Sequence, residues 1–180
     1  KKFEEGYWKI RETSTMPAVC SRVCPHEFQC EGACVRGKKG DPVAIVMLER
    51  YLFDWMVLNN KNLFKPCKIS REKKVAIVGS GPAGISVAFY LAHEGYECTI
   101  FESLPVFGGM LSVGIPHYRL PRDIIGAELY ALKNCGVEVV TGVTIGRDKT
   151  LEELKNEGYG AVFLGVGAHD SRKLGVEGED

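Results

Sequence analysis

Two segments of the 180-residue chain carry residue types at spacings that imply chemistry. The first, Gly79-Ser80-Gly81-Pro82-Ala83-Gly84, directly follows the run Val75-Ala76-Ile77-Val78 and opens a helical pattern. Glycines so spaced let the chain turn tightly, bring backbone N–H groups onto a pyrophosphate and pack helix against strand. A tight turn without ligand is the competing reading, and the strand before and helix after it weigh against that. Glu102 closes the next strand pattern, where a carboxylate accepts from both hydroxyls of a ribose and repels a 2′-phosphate, so NADP is disfavoured at this site. The second segment, Cys20-x3-Cys24-Pro25-x4-Cys30-x3-Cys34, holds four of the seven cysteines. Thiolates this close in sequence can converge on one soft metal centre. Iron–sulfur ligation suits the Cys24-Pro25 dipeptide. Structural zinc, which takes cysteine pairs roughly two to four residues apart, remains a competitor.

The elements that must position these groups follow from periodicity. Phe3, Tyr7 and Ile10 recur at helical spacing and predict a short amphipathic helix ending near Thr13. Asp41 and Pro42 read as the cap and first residue of a helix running to about Leu58, apolar almost all round and therefore expected to be buried. Glu49 on that helix has Ile45, Val46, Leu52 and Phe53 one turn away, so its carboxylate faces an apolar side and needs a partner. Helical geometry favours a basic residue such as Lys38, with a metal as the alternative. A polar stretch, 59–73, is expected to link this region to an alternation of strands and helices. Strands are predicted at Lys74 to Gly79, Cys98 to Glu102, near Val137 to Val143, and at Ala161 to Gly165; helices at Ile85 to His93, Arg122 to Cys135 and Thr150 to Glu157. Such alternation implies a parallel, doubly wound sheet.

The segment after Glu102 bears on which dinucleotide is bound. Glu102, five residues, then Gly108-Gly109 resembles the second signature of the flavoproteins built from two dinucleotide domains, and Tyr159 to Ala168 resembles their third. Three such elements in order imply FAD, with NAD as the main competitor. Cys67, Cys98 and Cys135 stand alone and read as packing or free thiols. His26, His93 and His169 have no partner in sequence, and His117 reads as a polar loop residue. The basic stretch Lys68 to Lys74 reads as a solvated linker.

Met16 to Pro25, Cys30-Glu31-Gly32-x-Cys34, Gly37 to Ile45, Leu48-Glu49-Arg50, Gly114-Ile115-Pro116 and Tyr118-Arg119-Leu120-Pro121 extend the likeness over essentially the whole chain. Together with the glycine signatures they resemble the small (beta) subunit of glutamate synthase and its relatives, including the N-terminal half of dihydropyrimidine dehydrogenase and the large subunit of NADH-dependent ferredoxin:NADP oxidoreductase. The resemblance implies an α-helical iron–sulfur domain (1–58, partial), a linker (59–73) and the first part of a Rossmann-like, α/β FAD-binding domain (74–180). In that family the helical domain holds two [4Fe-4S] clusters. By resemblance Cys24 and Cys30 ligate one with a residue at the position of Glu49, Cys34 serves the other, and Cys20 is not a ligand. The expected FAD contacts are Gly79, Ser80, Gly81, Pro82, Ala83, Gly84, Glu102, Ser103, Gly108, Gly109, Met110, Arg119, Ile145 and Gly167. No residue is expected to act as acid, base or nucleophile, because the cofactors carry the chemistry.

The family also draws cluster cysteines from residues N-terminal to this segment, and continues beyond it into a domain for NADPH or NADH. The expectation is therefore a fragment of an NAD(P)H oxidoreductase subunit that moves electrons through FAD and [4Fe-4S] clusters to a catalytic or electron-accepting partner subunit. A fragment with Cys20 recruited to a single rearranged cluster is conceivable, and a non-enzymatic electron-relay or docking module and a zinc-stabilised FAD-binding protein are the rivals. Composition is compatible with each. Twenty-three basic residues balance 23 acidic ones, which gives no excess of charge for nucleic acid or an anionic membrane. The longest apolar runs, such as Ile85 to Ala92, are too short to span a bilayer. Acidic residues at Glu4 and Glu5 occupy the place of a signal's apolar region, so a cytoplasmic setting is expected.

Overall fold

The computed structural model describes residues 2–65, 71–168 and 175–178. Three helices come first: α1 (Phe3–Arg11), α2 (Pro17–Val23) and α3 (Ile45–Leu58), with two short turns of 3-10 helix, His26–Phe28 and Val35–Lys38, between the last two. Beyond residue 73 lie β1 (Lys74–Val78), α4 (Pro82–His93), β2 (Glu97–Glu102), α5 (Met110–Val113), α6 (Arg122–Asn134), β3 (Glu138–Thr141), α7 (Leu151–Asn156) and β4 (Tyr159–Leu164). The predicted strands and helices of this half are present. A helical region thus precedes an α/β region of Rossmann-like form.

All four strands are parallel, in the order β3-β2-β1-β4. Ile77 of β1 pairs with Ile100 on one side and Phe163 on the other. The chain moves outward from β1 to β2 and β3, then returns to the far side of β1. That reversal opens a crevice beyond the carboxyl ends of β1 and β4, the position where open α/β sheets bind ligands. Thr150 caps α7 by a reciprocal pair of bonds with Glu153, which fixes where the chain re-enters the sheet.

The helical region is packed onto the sheet's helices through one continuous core. Tyr7, Val19, Phe53 and Met56 join Ile85, Phe89 and Leu132 in it, and the Tyr7 hydroxyl donates to the Leu63 carbonyl at 3.0 Å. Leu63 and Phe64, inside the predicted linker, are buried, with the Phe64 ring edge-on to Phe89 at 5.5 Å. Arg11 of α1 faces Glu128 of α6 at 3.4 Å, both side chains only 4% exposed. The opposite oxygen of Glu128 accepts from the Ala18 N–H at 3.3 Å. Burial pushes the Glu128 carboxyl up, against the opposing pull of the Arg11 charge. The guanidinium lies 4.6 Å over the Phe89 ring, and Thr15 and Ser86 join their hydroxyls at 2.9 Å.

Three expectations need correction. Helix α3 starts at Ile45 and not at Pro42, because its cap comes from elsewhere: the Glu31 carboxylate accepts the Val46 N–H at 3.1 Å. It is also not buried all round. Val46, Phe53 and Met56 pack inward, whereas Met47, Leu48 and Leu58 are exposed and Tyr51, half-exposed, meets Phe3 of α1 edge-on at 5.3 Å. Helix α2 is an addition to the elements that periodicity predicts; Pro17 suits its first turn, and Ala18 and Val19 are buried. Among the described residues no helix is long and apolar enough to cross a membrane.

Replacing Glu128 with Ala leaves the Arg11 charge buried without its counter-ion. In urea unfolding the variant is expected to lose about 3–5 kcal/mol, and the apolar pair Arg11→Met with Glu128→Leu is expected to recover most of it. A double variant as unstable as the single one would contradict this account.

Candidate functional site

The glycine turn lies where the sheet order reverses. Gly81 is the N-cap of α4 and Pro82 its first residue, so the free N–H groups and the positive end of this helix face the crevice. The helix sits directly on the end of β1: a Cβ on Gly84 would overlap the carbonyl oxygen of Gly79 and press on Ile77 at 3.3 Å. Gly109, at φ +52°, closes the other wall, and a Cβ there would stand 3.0 Å from the Cα of Gly81. A Cβ on Gly81 itself would meet nothing within 4 Å, so the space above it is open.

A cavity of about 1000 Å³ fills this crevice. Of the expected cofactor residues, Gly79, Gly81, Pro82, Ala83, Glu102, Ser103, Gly109, Met110, Ile145 and Gly167 line it. Ser80, Gly84 and Gly108 do not; Ser80 and Gly84 are buried behind the wall that the others form. Arg119 is exposed on the loop before α6 and does not line the cavity. Sequence reasoning did not single out Val113 or Thr144, which also line it, whereas Leu164 falls within the third signature. Leu164 ends β4, and the topological rule for open sheets points to that position once the strand order is known.

Glu102 is 5% exposed and well bonded. Its Oε2 accepts from the N–H of Ser80 at 2.9 Å and from the Ser80 hydroxyl. Its Oε1 accepts from the Leu104 N–H at 2.8 Å and, at 3.3 Å, from the Ser103 hydroxyl. Burial pushes this carboxyl up, but the Ser80 hydroxyl and the other donors outweigh it and hold the group below the ordinary carboxylate value. It is therefore an anion at neutral pH. Size, open backbone N–H groups and a fixed carboxylate together fit a dinucleotide with an unmodified ribose.

The cysteines are arranged differently. Cys20 and Cys24 stand one turn apart on and just after α2, both half-buried. Burial, with the nearby Cys24 and Glu49, pushes the Cys20 thiol up to about 12. Glu49 accepts from the Ser14 hydroxyl at 3.1 Å and not from Lys38, and burial raises its carboxyl. Cys30 is exposed, and N–H groups led by that of Val43, at 3.5 Å, lower the Cys34 thiol. Among the described residues no three metal-ligating side chains converge. The donor chemistry suits iron or zinc, but these side chains do not by themselves close a metal site. Cys98 and Cys135 have thiols raised by burial to about 11 and about 12, as packing cysteines do. Cys67 and His169 lie outside the described residues.

Residues 1–61 match the family described as dihydropyrimidine dehydrogenase domain II, 4Fe-4S cluster, and residues 73–180 match that described as pyridine nucleotide-disulphide oxidoreductase. The chain is similar to the NADPH-Fe(3+) oxidoreductase subunit beta of Geobacter sulfurreducens, at 46% identity over 99% of this chain and 26% of that protein. It is similar to the NADP(+)-dependent formate dehydrogenase subunit beta of Moorella thermoacetica, at 42% identity over 99% of this chain and 28% of that protein. The glutamate synthase (NADPH) small chain of Escherichia coli is 36% identical over 94% of this chain and 36% of its own length. The chain therefore spans only about a quarter to a third of these curated relatives. Among solved structures, FprA, a Mycobacterium tuberculosis oxidoreductase, superposes with a TM-score of 0.52 at 28% identity, over 61% of this chain and 26% of that one.

Gly84→Ala forces α4 away from the end of β1. Thermal or urea unfolding is expected to show a loss of about 1–3 kcal/mol, the usual cost of overpacking. Unchanged stability would mean that the contact between Gly84 and Gly79 does not hold the helix in place.

Proposed function

The chain belongs to the pyridine nucleotide-disulphide oxidoreductase family, in the branch that joins an iron–sulfur domain to it as the glutamate synthase small subunit does, and from this we propose that it is the FAD-holding part of an NAD(P)H-dependent electron-transfer subunit. The observation that carries the proposal is the crevice of about 1000 Å³ at the strand-order reversal, with the end of a glycine-opened helix on one wall and an ionised Glu102 on another. The N–H groups of Gly81 and Ala83, on either side of Pro82, receive the pyrophosphate, where the helix end favours negative charge. Glu102 accepts from the ribose, and Ser103, whose 3.3 Å contact is the longest of the four, is the donor a ribose hydroxyl displaces. Gly109, Met110, Ile145 and Gly167 enclose the remainder. Ser80, Gly84 and Gly108 shape this cradle from behind.

When bound, FAD accepts a hydride as an electron pair and can release the electrons singly. The chain's own residues bind and orient it; none is required as an acid, base or nucleophile. Cys24, Cys30 and Glu49 are proposed as ligands of one iron–sulfur cluster and Cys34 as a ligand of another, each closed only with donors from beyond the described side chains. The relatives' names, subunit beta and small chain, favour a subunit that delivers electrons to a catalytic or electron-accepting partner. NADH or NADPH would then bind to a part of the longer protein outside these residues. The units 1–58 and 74–180, with a link between them, are proposed as its iron–sulfur and FAD-binding parts.

Gly81→Asp tests the cradle. The position has an ordinary φ of −68° and open space, so the fold is expected to persist, while the carboxylate meets the pyrophosphate and lowers flavin affinity at least about tenfold, equivalent to about 1.4 kcal/mol. Unchanged flavin per mole of folded protein would overturn the assignment. In the intact protein Glu49→Ala is expected to lower iron content and leave flavin content unchanged. Iron equal to that of the parent would leave Glu49 as the acceptor of the Ser14 hydroxyl and no ligand.

A further inference from the structure

Ser80 is fully buried, yet its hydroxyl stands where three segments meet. It accepts the N–H of Gly108 at 2.9 Å and donates its hydrogen to Oε2 of Glu102. A serine hydroxyl has one hydrogen, so a donor on its lone pair leaves that hydrogen for the carboxylate and fixes the direction of the relay. The Ser80 N–H donates to the same Oε2 at 2.9 Å. This locks one carboxylate oxygen against the inner wall. The other, Oε1, is bonded by Ser103 and Leu104, both of which line the crevice, whereas Ser80 does not. Oε1 is thus the oxygen offered to a ligand.

We propose that Ser80 is a positioning residue for ribose recognition: held by Gly108, its hydroxyl pins Oε2 of Glu102 and so aims Oε1 into the crevice. The proposal rests on the FAD reading above, but gives Ser80 a role different from cofactor contact. Ser80 acts on the ligand through Glu102, and its contribution must vanish when the carboxylate is gone. A residue that merely supports the fold carries no such dependence.

The test is a double-mutant cycle on the intact protein, with FAD as the probe and quenching of its fluorescence as the readout. Ser80→Ala is expected to weaken FAD binding about tenfold when Glu102 is present, and less than about twofold in the Glu102→Ala background. Losses that multiply independently would overturn the proposal while leaving FAD binding intact. A parent protein that binds no FAD at all would overturn both readings, so the two failures are distinguishable. Should Ser80→Ala fail to fold, Ser80→Cys, with its weaker donor, carries the same cycle: a weakening confined to the Glu102 background supports the role, and one present in both backgrounds overturns it.

Discussion

Helix α4 begins where it does because nothing stands between Gly84 and the carbonyl of Gly79. This absence of a side chain lets the helix rest on the end of β1 and point its free N–H groups into the crevice. With the helix so placed, Ser80 is turned inward to Glu102, and Gly109 can approach Gly81 from the facing loop. Strand order completes the arrangement, because β4 returns beside β1 and leaves the space above both strand ends uncovered. The turn, the carboxylate and the paired glycines are far apart in sequence and form one surface only in this packing.

The helical region depends on the same helix from its outer side. Arg11 and Thr15 meet Phe89 and Ser86 of α4, and Glu128 of α6 ties Arg11 to the start of α2. A buried ion pair is weak support for stability in itself, because the desolvation of both charges offsets their attraction. Its consequence lies in geometry. Charge and hydrogen-bond partners must coincide for the pair to be tolerated, so the segment carrying Cys20 and Cys24 has one register against the α/β region. The segment that carries these thiols is therefore held at a fixed place relative to the α/β region.

Much of this is legible in the sequence where the signal is local. Alternating strands and helices, the glycine turn and Glu102 at the end of β2 follow from short-range pattern, and the structure places them in one cavity. What the sequence hides depends on distant partners. The cap of α3 comes from Glu31, fifteen residues away, so the helix starts later than Asp41-Pro42 suggests. Apolar content alone predicts that α3 is buried, but burial needs a covering element, and Met47 and Leu48 have none among the described residues. Ser80 sits within a phosphate-binding motif, yet its side chain turns to Glu102, a choice no spacing rule encodes. The acceptor role of Glu49 toward Ser14 likewise depends on where the turn after α1 meets α3.

The central claim, that the crevice is an FAD site, is tested most directly by the visible absorption spectrum of the protein purified without oxygen, supplied with FAD and freed of unbound flavin, before and after dithionite. The account predicts a flavin band that stays with the protein and bleaches on reduction. A protein that emerges without flavin absorption, though folded, would contradict it.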